Sequence, residues 1–338
     1  IDENEVVELF DRGPFLGEEA LDAGLVDALA YRDEVLDRIE EAIGEDAEMV
    51  GPLRYVAAAG SPYRRGTTIA LIEANGAVAR GPSRYSLLDG SVTMGSDTIA
   101  GALRDAIDDK RVKAIIFRVN SPGGSYVASD TIWRETIRAK EAGKPLIVSM
   151  GSVAGSGGYF VAMDADKIVA QPGTITASIG VLGGKLLTRD FWKKFGVTWD
   201  DVASSRHSRM WTGTYAYGES EERFQASLDR IYEDFTSKVA AGRDLPIEEV
   251  NGIARGRIWT GEDALQIGLV DELGGVDVAL RLVREALDVE PDGDLRIKKF
   301  PRPRSPFEAF LARKEGSASV QAMADSLRGI QPKLRAIR

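Results

Sequence analysis

The chain has 338 residues, 43% of them hydrophobic and 28% charged, enough to bury one large core or two smaller ones. A formal net charge of -10 and a pI near 5.0 set the surface against a phosphate backbone and exclude a general nucleic-acid binder. There is no cysteine, which excludes disulfides, thiol catalysis and thiolate-ligated zinc.

In chain order, residues 13 to 45 read as helical, and residues 46 to 66 as a linker, punctuated by glycine and proline from Gly51 to Gly66. TTIALIEANGAV (67 to 78) is a buried-strand pattern. GSDTIAGALRDAIDD (95 to 109) is a helix pattern with Ser96 or Asp97 as the cap and Ile99, Leu103, Ala106 and Ile107 on one face. VKAIIFRVNS (112 to 121) is a strand, SYVASDTIWRETIRAKEAG (125 to 143) a helix closing on Gly143, and KPLIVSM (144 to 150) a strand. Strands that are near-continuous apolar runs, alternating with helices of ten or more residues, imply repeated βαβ units around a mainly parallel sheet. The expected fold class is therefore α/β.

The chain also contains a repeat. GEEALDAGLVDAL (17 to 29) and GEDALQIGLVDEL (261 to 273) share nine of thirteen positions at an offset of 244, with Phe15 and Trp259 in register before them. Each copy reads as a short helix on a glycine cap, followed by an apolar GLVD segment that docks on a core. The second copy closes a unit that begins near Thr67. The expectation is a duplicated domain, with residues 1 to 45 the end of a first repeat whose earlier part lies upstream of Ile1. Residues 67 to 295 then form the second repeat, and 296 to 338 a basic tail. From Arg296 onward there are eleven Lys and Arg against three Asp and Glu.

Two glycine-rich turns follow predicted strands, where open α/β sheets collect their chemistry. In NSPGGS (120 to 125), Pro122, Gly123 and Gly124 allow a turn that leaves backbone N–H groups pointing outward, suited to an oxyanion. In GSVAGSGGYFVA, Ser156 lies among Gly155, Gly157 and Gly158. A helix cap needs no glycine beside it, whereas a substrate carbonyl approaching Oγ within about 3 Å needs bare backbone. Ser156 as nucleophile, with the Gly157 amide and that of Gly123 or Gly124 as oxyanion donors, stands beside the plainer reading of Ser156 as a cap. A serine nucleophile needs a base. The lone histidine, His207, sits in polar SSRHSRMWTG. Lys185, Lys193, Lys194 and Lys238 lie downstream, and none is marked as a base by its surroundings.

SPGG, AGSGGYFVA and TASIGVLG (176 to 183) together resemble the signal peptide peptidase A family of serine-lysine peptidases, over most of residues 67 to 285 and including the closing GLVDEL. The resemblance implies a Clp protease/crotonase-like fold. It implies Ser156 as nucleophile, Gly123 or Gly124 and Gly157 as the oxyanion hole, and Ser178 as the serine that orients the catalytic lysine. Single-repeat members carry that lysine in a segment corresponding to SSRHSRM (204 to 210), which has none. Double-length members carry serine in the second repeat and lysine in the first, so the resemblance places this chain as a second repeat whose base lies outside it. It further implies substrates that are released signal peptides and other short apolar peptides, a homo-oligomer, no cofactor and no metal. It also implies a site at the bacterial cell membrane, peripheral or anchored by an upstream segment. Phe307, Phe310, Leu311, Val320, Met323 and Leu327 fall at helical spacing among basic residues in the tail, suggesting a membrane-surface contact. The rival expectations are a crotonase-like acyl-CoA enzyme, using the same hole with a carboxylate beside it, and a non-catalytic assembly subunit.

Overall fold

The structure is a computed structural model that describes residues 1–44, 49–60, 63–86 and 90–302. It divides into a unit over residues 1–62 and a unit over residues 63–338. Phe307, Phe310, Leu311, Val320, Met323 and Leu327 lie outside the described residues.

The first unit is helical: α1 (Glu3–Arg12), α2 (Gly17–Asp22), α3 (Arg32–Ile43) and α4 (Pro52–Ala59). The single helix expected over residues 13 to 45 is two helices. The Glu19 carboxylate accepts the Leu16 amide at 2.9 Å and that of Glu34 accepts the Tyr31 amide at 2.7 Å, so each helix has its own acidic N-terminal clasp. Gly24, at φ 66°, ends α2. The expected linker also holds a helix, α4, which starts on Pro52, where a missing N–H costs nothing.

The second unit contains β1 (Thr67–Asn75), β2 (Ala77–Ala79), β3 (Arg84–Tyr85), β4 (Val92–Gly95), α5 (Ser96–Asp108), β5 (Ile115–Ser121), α6 (Tyr126–Glu141), β6 (Leu146–Gly155) and α7 (Gly157–Phe160). There follow β7 (Lys167–Ala170), β8 (Ile175–Ala177), α8 (Arg189–Lys193), α9 (Glu221–Arg243), α10 (Ile247–Ile253), β9 (Ile258–Thr260), α11 (Gly261–Gln266), β10 (Glu272–Leu273), α12 (Val276–Ala286) and β11 (Leu295–Phe300). The main sheet runs β10-β7-β6-β5-β1-β11, parallel throughout, with β8 on β6 and β9 antiparallel to β8. A smaller sheet, β2-β4-β3, stands apart. The α/β fold with a mainly parallel sheet is thus as read from the sequence.

Both faces of the main sheet are covered, and this explains the unbroken apolar strands. Ala70, Ile72, Ile115, Phe117, Leu146 and Val148 pack in one core with residues of α5, α6 and α7. The alternate residues Ile69, Ile116 and Ile147 pack in a second core with Ala279, Leu280, Leu282 and Val283 of α12. The basic stretch from Arg296 begins inside β11, which pairs with β1; Lys298 and Lys299 bond Asp109 and Glu73, so part of the charge surplus is spent on tying an edge strand. Neither expected cap on α5 is used: Gly95 is the N-cap, and Ser96 Oγ instead accepts the Gly81 amide at 3.3 Å. In α6, Ser125 does cap, accepting the Ala128 amide. Among the described residues no helix is long and apolar enough to cross a membrane.

Candidate active site

β5 and β6 are neighbours, so the turns that follow them stand side by side at the carboxyl edge. The register between them shifts past Val119. There Asn120 Oδ1 accepts the Val153 amide at 3.2 Å, and a Cβ on Gly151 would come within 2.7 Å of the Asn120 side chain. This bulge lets β6 run further than expected, to Gly155 rather than Met150, leaving β7 after Ser149 and taking β8 from Val153.

Ser156 sits where β6 turns into α7, with φ 51° and ψ -119°. That backbone is costly for a serine, about 1–3 kcal/mol, and its surroundings hold it there. Its amide donates to the Ala177 carbonyl at 2.7 Å, and its carbonyl accepts the Phe160 amide at 2.9 Å. No side-chain cap is made, so Ser156 occupies a cap position without doing a cap's work. Four of the six described non-glycine residues with positive φ are Ser156, Ala177, Ser178 and Arg255, all in or against this corner. Strained backbone of this kind clusters at functional sites.

The PGG turn presses on the serine. A Cβ on Gly123 would lie 2.6 Å from the Gly157 nitrogen and 2.7 Å from Ser156 Cβ, and one on Gly157 would lie 2.5 Å from Ser129 Oγ and 3.1 Å from the Gly124 nitrogen. Gly123 and Gly124 adopt φ 99° and 151°, which only glycine takes readily. The turn is pinned to β2, with the Val78 amide donating to the Gly123 carbonyl at 2.8 Å and the Ser125 amide to the Val78 carbonyl at 2.9 Å.

These bonds sort the expected donors. The Gly123 amide is spent on Ser121 Oγ at 3.1 Å, in a buried contact. Those of Gly124 and Gly157 have no acceptor among the described residues. The free pair is therefore Gly124 and Gly157, and the part of Gly123 is to permit the close approach.

Ser156 and Ser178 line one cavity of about 420 Å³ with Gly180, Val181, Leu182, Tyr232, Arg255 and Gly256. Ser178, at φ 49°, is fixed by its amide, which donates to the Arg257 carbonyl at 2.9 Å. Neither serine hydroxyl makes a hydrogen bond among the described residues. Ser178 was legible in TASIG; Tyr232 and Arg255 were not, because they arrive from α9 and the turn after α10 through long-range folding.

Among the described residues, no lysine, histidine or carboxylate lines this cavity. His207 Nδ1 lies 3.1 Å from Ser220 Oγ. Lys185 Nζ donates to the Met210 carbonyl at 3.0 Å and lies 4.3 Å from the centre of the Tyr217 ring. Lys193 and Lys194 are exposed on and just after α8. Lys238 Nζ donates to Asp130 at 2.6 Å and Asp234 at 2.8 Å, and sits over the Trp133 and Phe160 rings. Burial opposes its charge, yet the two carboxylates outweigh burial and raise its pKa above the ordinary lysine value, the reverse of what a base needs. No described group of three or more His, Cys, Asp or Glu residues is placed to hold a metal ion.

The two copies of the GE-AL/GLVD motif share their local hydrogen bonds. In α2 and its exit, the Ala23, Gly24 and Leu25 amides donate to the Glu19, Leu21 and Ala20 carbonyls; in α11, the Ile267, Gly268 and Leu269 amides donate to Asp263, Leu265 and Ala264, the same bonds at the same offset.

Comparison with known proteins identifies the family. The model of "Peptidase family S49" matches residues 138–290, spanning β6, Ser156 and Ser178. The chain is 39% identical over 272 residues to "Protease 4" of Salmonella typhi, covering 79% of this chain and 43% of that protein. It is 31% identical over 321 residues to the chloroplastic "Serine protease SPPA" of Arabidopsis thaliana, covering 91% and 46%. Against a putative protease of Synechocystis it is 34% identical over 273 residues, covering 79% of this chain and 90% of that one. The chain thus spans less than half the length of the first two relatives and nearly all of the third. With the strand-to-helix serine, the facing glycine turn and these matches together, the chain belongs to peptidase family S49.

Proposed function

We propose that this chain carries the nucleophilic half of a serine endopeptidase that works with a serine-lysine dyad. The observation that carries the proposal is Ser156: a strained, uncapped serine between a strand and a helix, with the unpaired amides of Gly124 and Gly157 beside it. In this reading Ser156 Oγ attacks the scissile carbonyl, and the Gly124 and Gly157 amides hold the resulting oxyanion, each worth about 10² to 10³ in rate. A neutral lysine takes the hydroxyl proton and returns it to the leaving amine. Ser178 holds that lysine in place. Water then hydrolyses the acyl-enzyme by the same proton route.

The lysine is supplied by a segment outside these 338 residues. Two facts support this: no described lysine lines the cavity, and the segments matched make up only 43% and 46% of the length of two relatives. The proposed substrates are released signal peptides and other short apolar peptides, taken at the bacterial membrane by a homo-oligomer. Val181, Leu182 and Tyr232 give the cavity the apolar wall such peptides need. The absence of a carboxylate from its described lining argues against acyl-CoA chemistry of the crotonase kind.

The test uses the full-length protein. It should react covalently with a fluorophosphonate at Ser156 and hydrolyse apolar peptides, while Ser156→Ala should do neither. Residual peptidase activity in Ser156→Ala would sink the assignment.

A further inference from the structure

Among the described residues, the one charged side chain lining the Ser156 cavity is Arg255, and no described group neutralises it. It is exposed, and makes no ion pair or hydrogen bond with any described residue. Its neighbour Arg257 behaves in the opposite way, folding back so that Nη1 donates to the Gly252 and Ala254 carbonyls at 3.1 Å. The backbone holds Arg255 out. It sits at φ 61° and is followed by Gly256 at φ 74°, whose amide donates to the Ile179 carbonyl at 2.8 Å. A Cβ on Gly180 would lie 2.8 Å from the Gly256 nitrogen, so the turn bearing Arg255 rests directly on the segment that follows Ser178. An arginine in left-handed backbone is a strained choice where glycine or asparagine would be easier.

We infer that Arg255 is a specificity-determining residue that binds a carboxylate of the substrate, so that the site prefers apolar peptides carrying one anionic group near the scissile bond. This rests on the cavity being a peptide site. A guanidinium offers paired N–H donors that match a carboxylate, and Val181 and Leu182 line the same cavity for the apolar part of the peptide. The carboxylate is either the free C-terminus of a short peptide or an Asp or Glu side chain. Among the described residues lining the cavity, no carboxylate competes with a substrate anion for Arg255.

The experiment reads binding rather than turnover, in full-length Ser156→Ala protein, by fluorescence anisotropy. Three labelled apolar peptides are compared: one with a free C-terminal carboxylate, its C-terminal amide, and the amide with one glutamate. At least one carboxylate peptide should bind about tenfold tighter than the neutral amide, and which one does so identifies the source. Arg255→Gln should bring all three within twofold, and Arg255→Lys should retain part of the difference. Equal binding of all three peptides, uniform weakening by Arg255→Gln, or a changed oligomeric state with unchanged preference would each overturn the inference. Failure of the wild-type protein to hydrolyse any peptide would count against the peptidase reading alone.

Discussion

Gly123→Ala isolates the close approach on which the active-site corner depends. The added Cβ would lie 2.6 Å from the Gly157 nitrogen, 2.7 Å from Ser156 Cβ and 2.8 Å from the Gly155 carbonyl oxygen. Ordinary contact begins near 3.4 Å, so the serine turn must move by about 0.8 Å or the PGG turn must retreat. The obstacles are backbone and a Cβ, with no flexible side chain to yield. Displacement on this scale costs roughly 10²-fold in rate, and the φ of 99° adds about 1–2 kcal/mol of backbone strain. Gly143→Ala is the control: Gly143 also has positive φ, 67°, but nothing lies within 4 Å of its added Cβ. In the full-length protein, Gly123→Ala should slow fluorophosphonate labelling of Ser156 and peptide turnover about 100-fold. Gly143→Ala should lose a similar amount of thermal stability and keep the wild-type labelling rate. If folded Gly123→Ala labels as fast as wild type, the packing of the two turns does not position the nucleophile.

Three further outcomes are expected. Ser178→Ala should lower kcat about 10- to 100-fold with little change in KM, because the hydrogen bond to the base proposed for Ser178 would be worth about 1–3 kcal/mol; steady-state kinetics on the full-length protein decide this. Asp109→Asn should lower the melting temperature by an amount that depends on pH. Hydrogen bonds from Arg111, then Lys298, hold the Asp109 carboxyl well below the usual carboxylate range, so its contribution is present above about pH 4, the unfolded value, and is lost as pH falls toward the folded one. The gap between variant and wild type should stay constant from about pH 5 to 8 and close in stronger acid. Finally, Leu269→Ala should cost about 2–5 kcal/mol while Leu25→Ala, at the same place in the other copy, should cost under about 0.5 kcal/mol in this chain. Leu269 is fully buried and Leu25 is 44% exposed; chemical denaturation measures both.

The α/β class was legible because the parallel sheet is covered on both faces, which writes its strands as unbroken apolar runs such as those of β1, β5 and β6. The candidate site was legible for the same local reason: Pro122-Gly123-Gly124 and Gly155-Ser156-Gly157 announce backbone that side chains would obstruct. What escaped the sequence was decided at a distance. The expected end of β6 at Met150 ignored the bulge at Asn120, which depends on a neighbouring strand. Gly123 and Gly124 looked equivalent as donors until Ser121 Oγ took one amide. Charge counting assigned Arg296 onward to a tail, yet Lys298 and Lys299 answer Asp109 and Glu73, carboxylates nearly two hundred or more residues away. The first unit's helices were misjudged because Glu19 and Glu34 each clasp a new helix start inside one apolar-polar pattern.

The fork in β6 gives the repeated motif a mechanical task. Below Ser149 the strand belongs to the main sheet; above Val153 it leans on β8, and the serine amide itself hangs from the Ala177 carbonyl. β8 in turn is braced by β9, whose last residue, Thr260, caps α11. The GEDAL helix and its GLVD exit, anchored by buried Gly261, Ala264, Leu269 and Val270, are therefore a buttress that acts through two short strands on Ser156. Thr260, far along the chain from Ser156, is thereby linked to the serine through this brace, and the motif it caps also meets the main ladder where β10 pairs with β7.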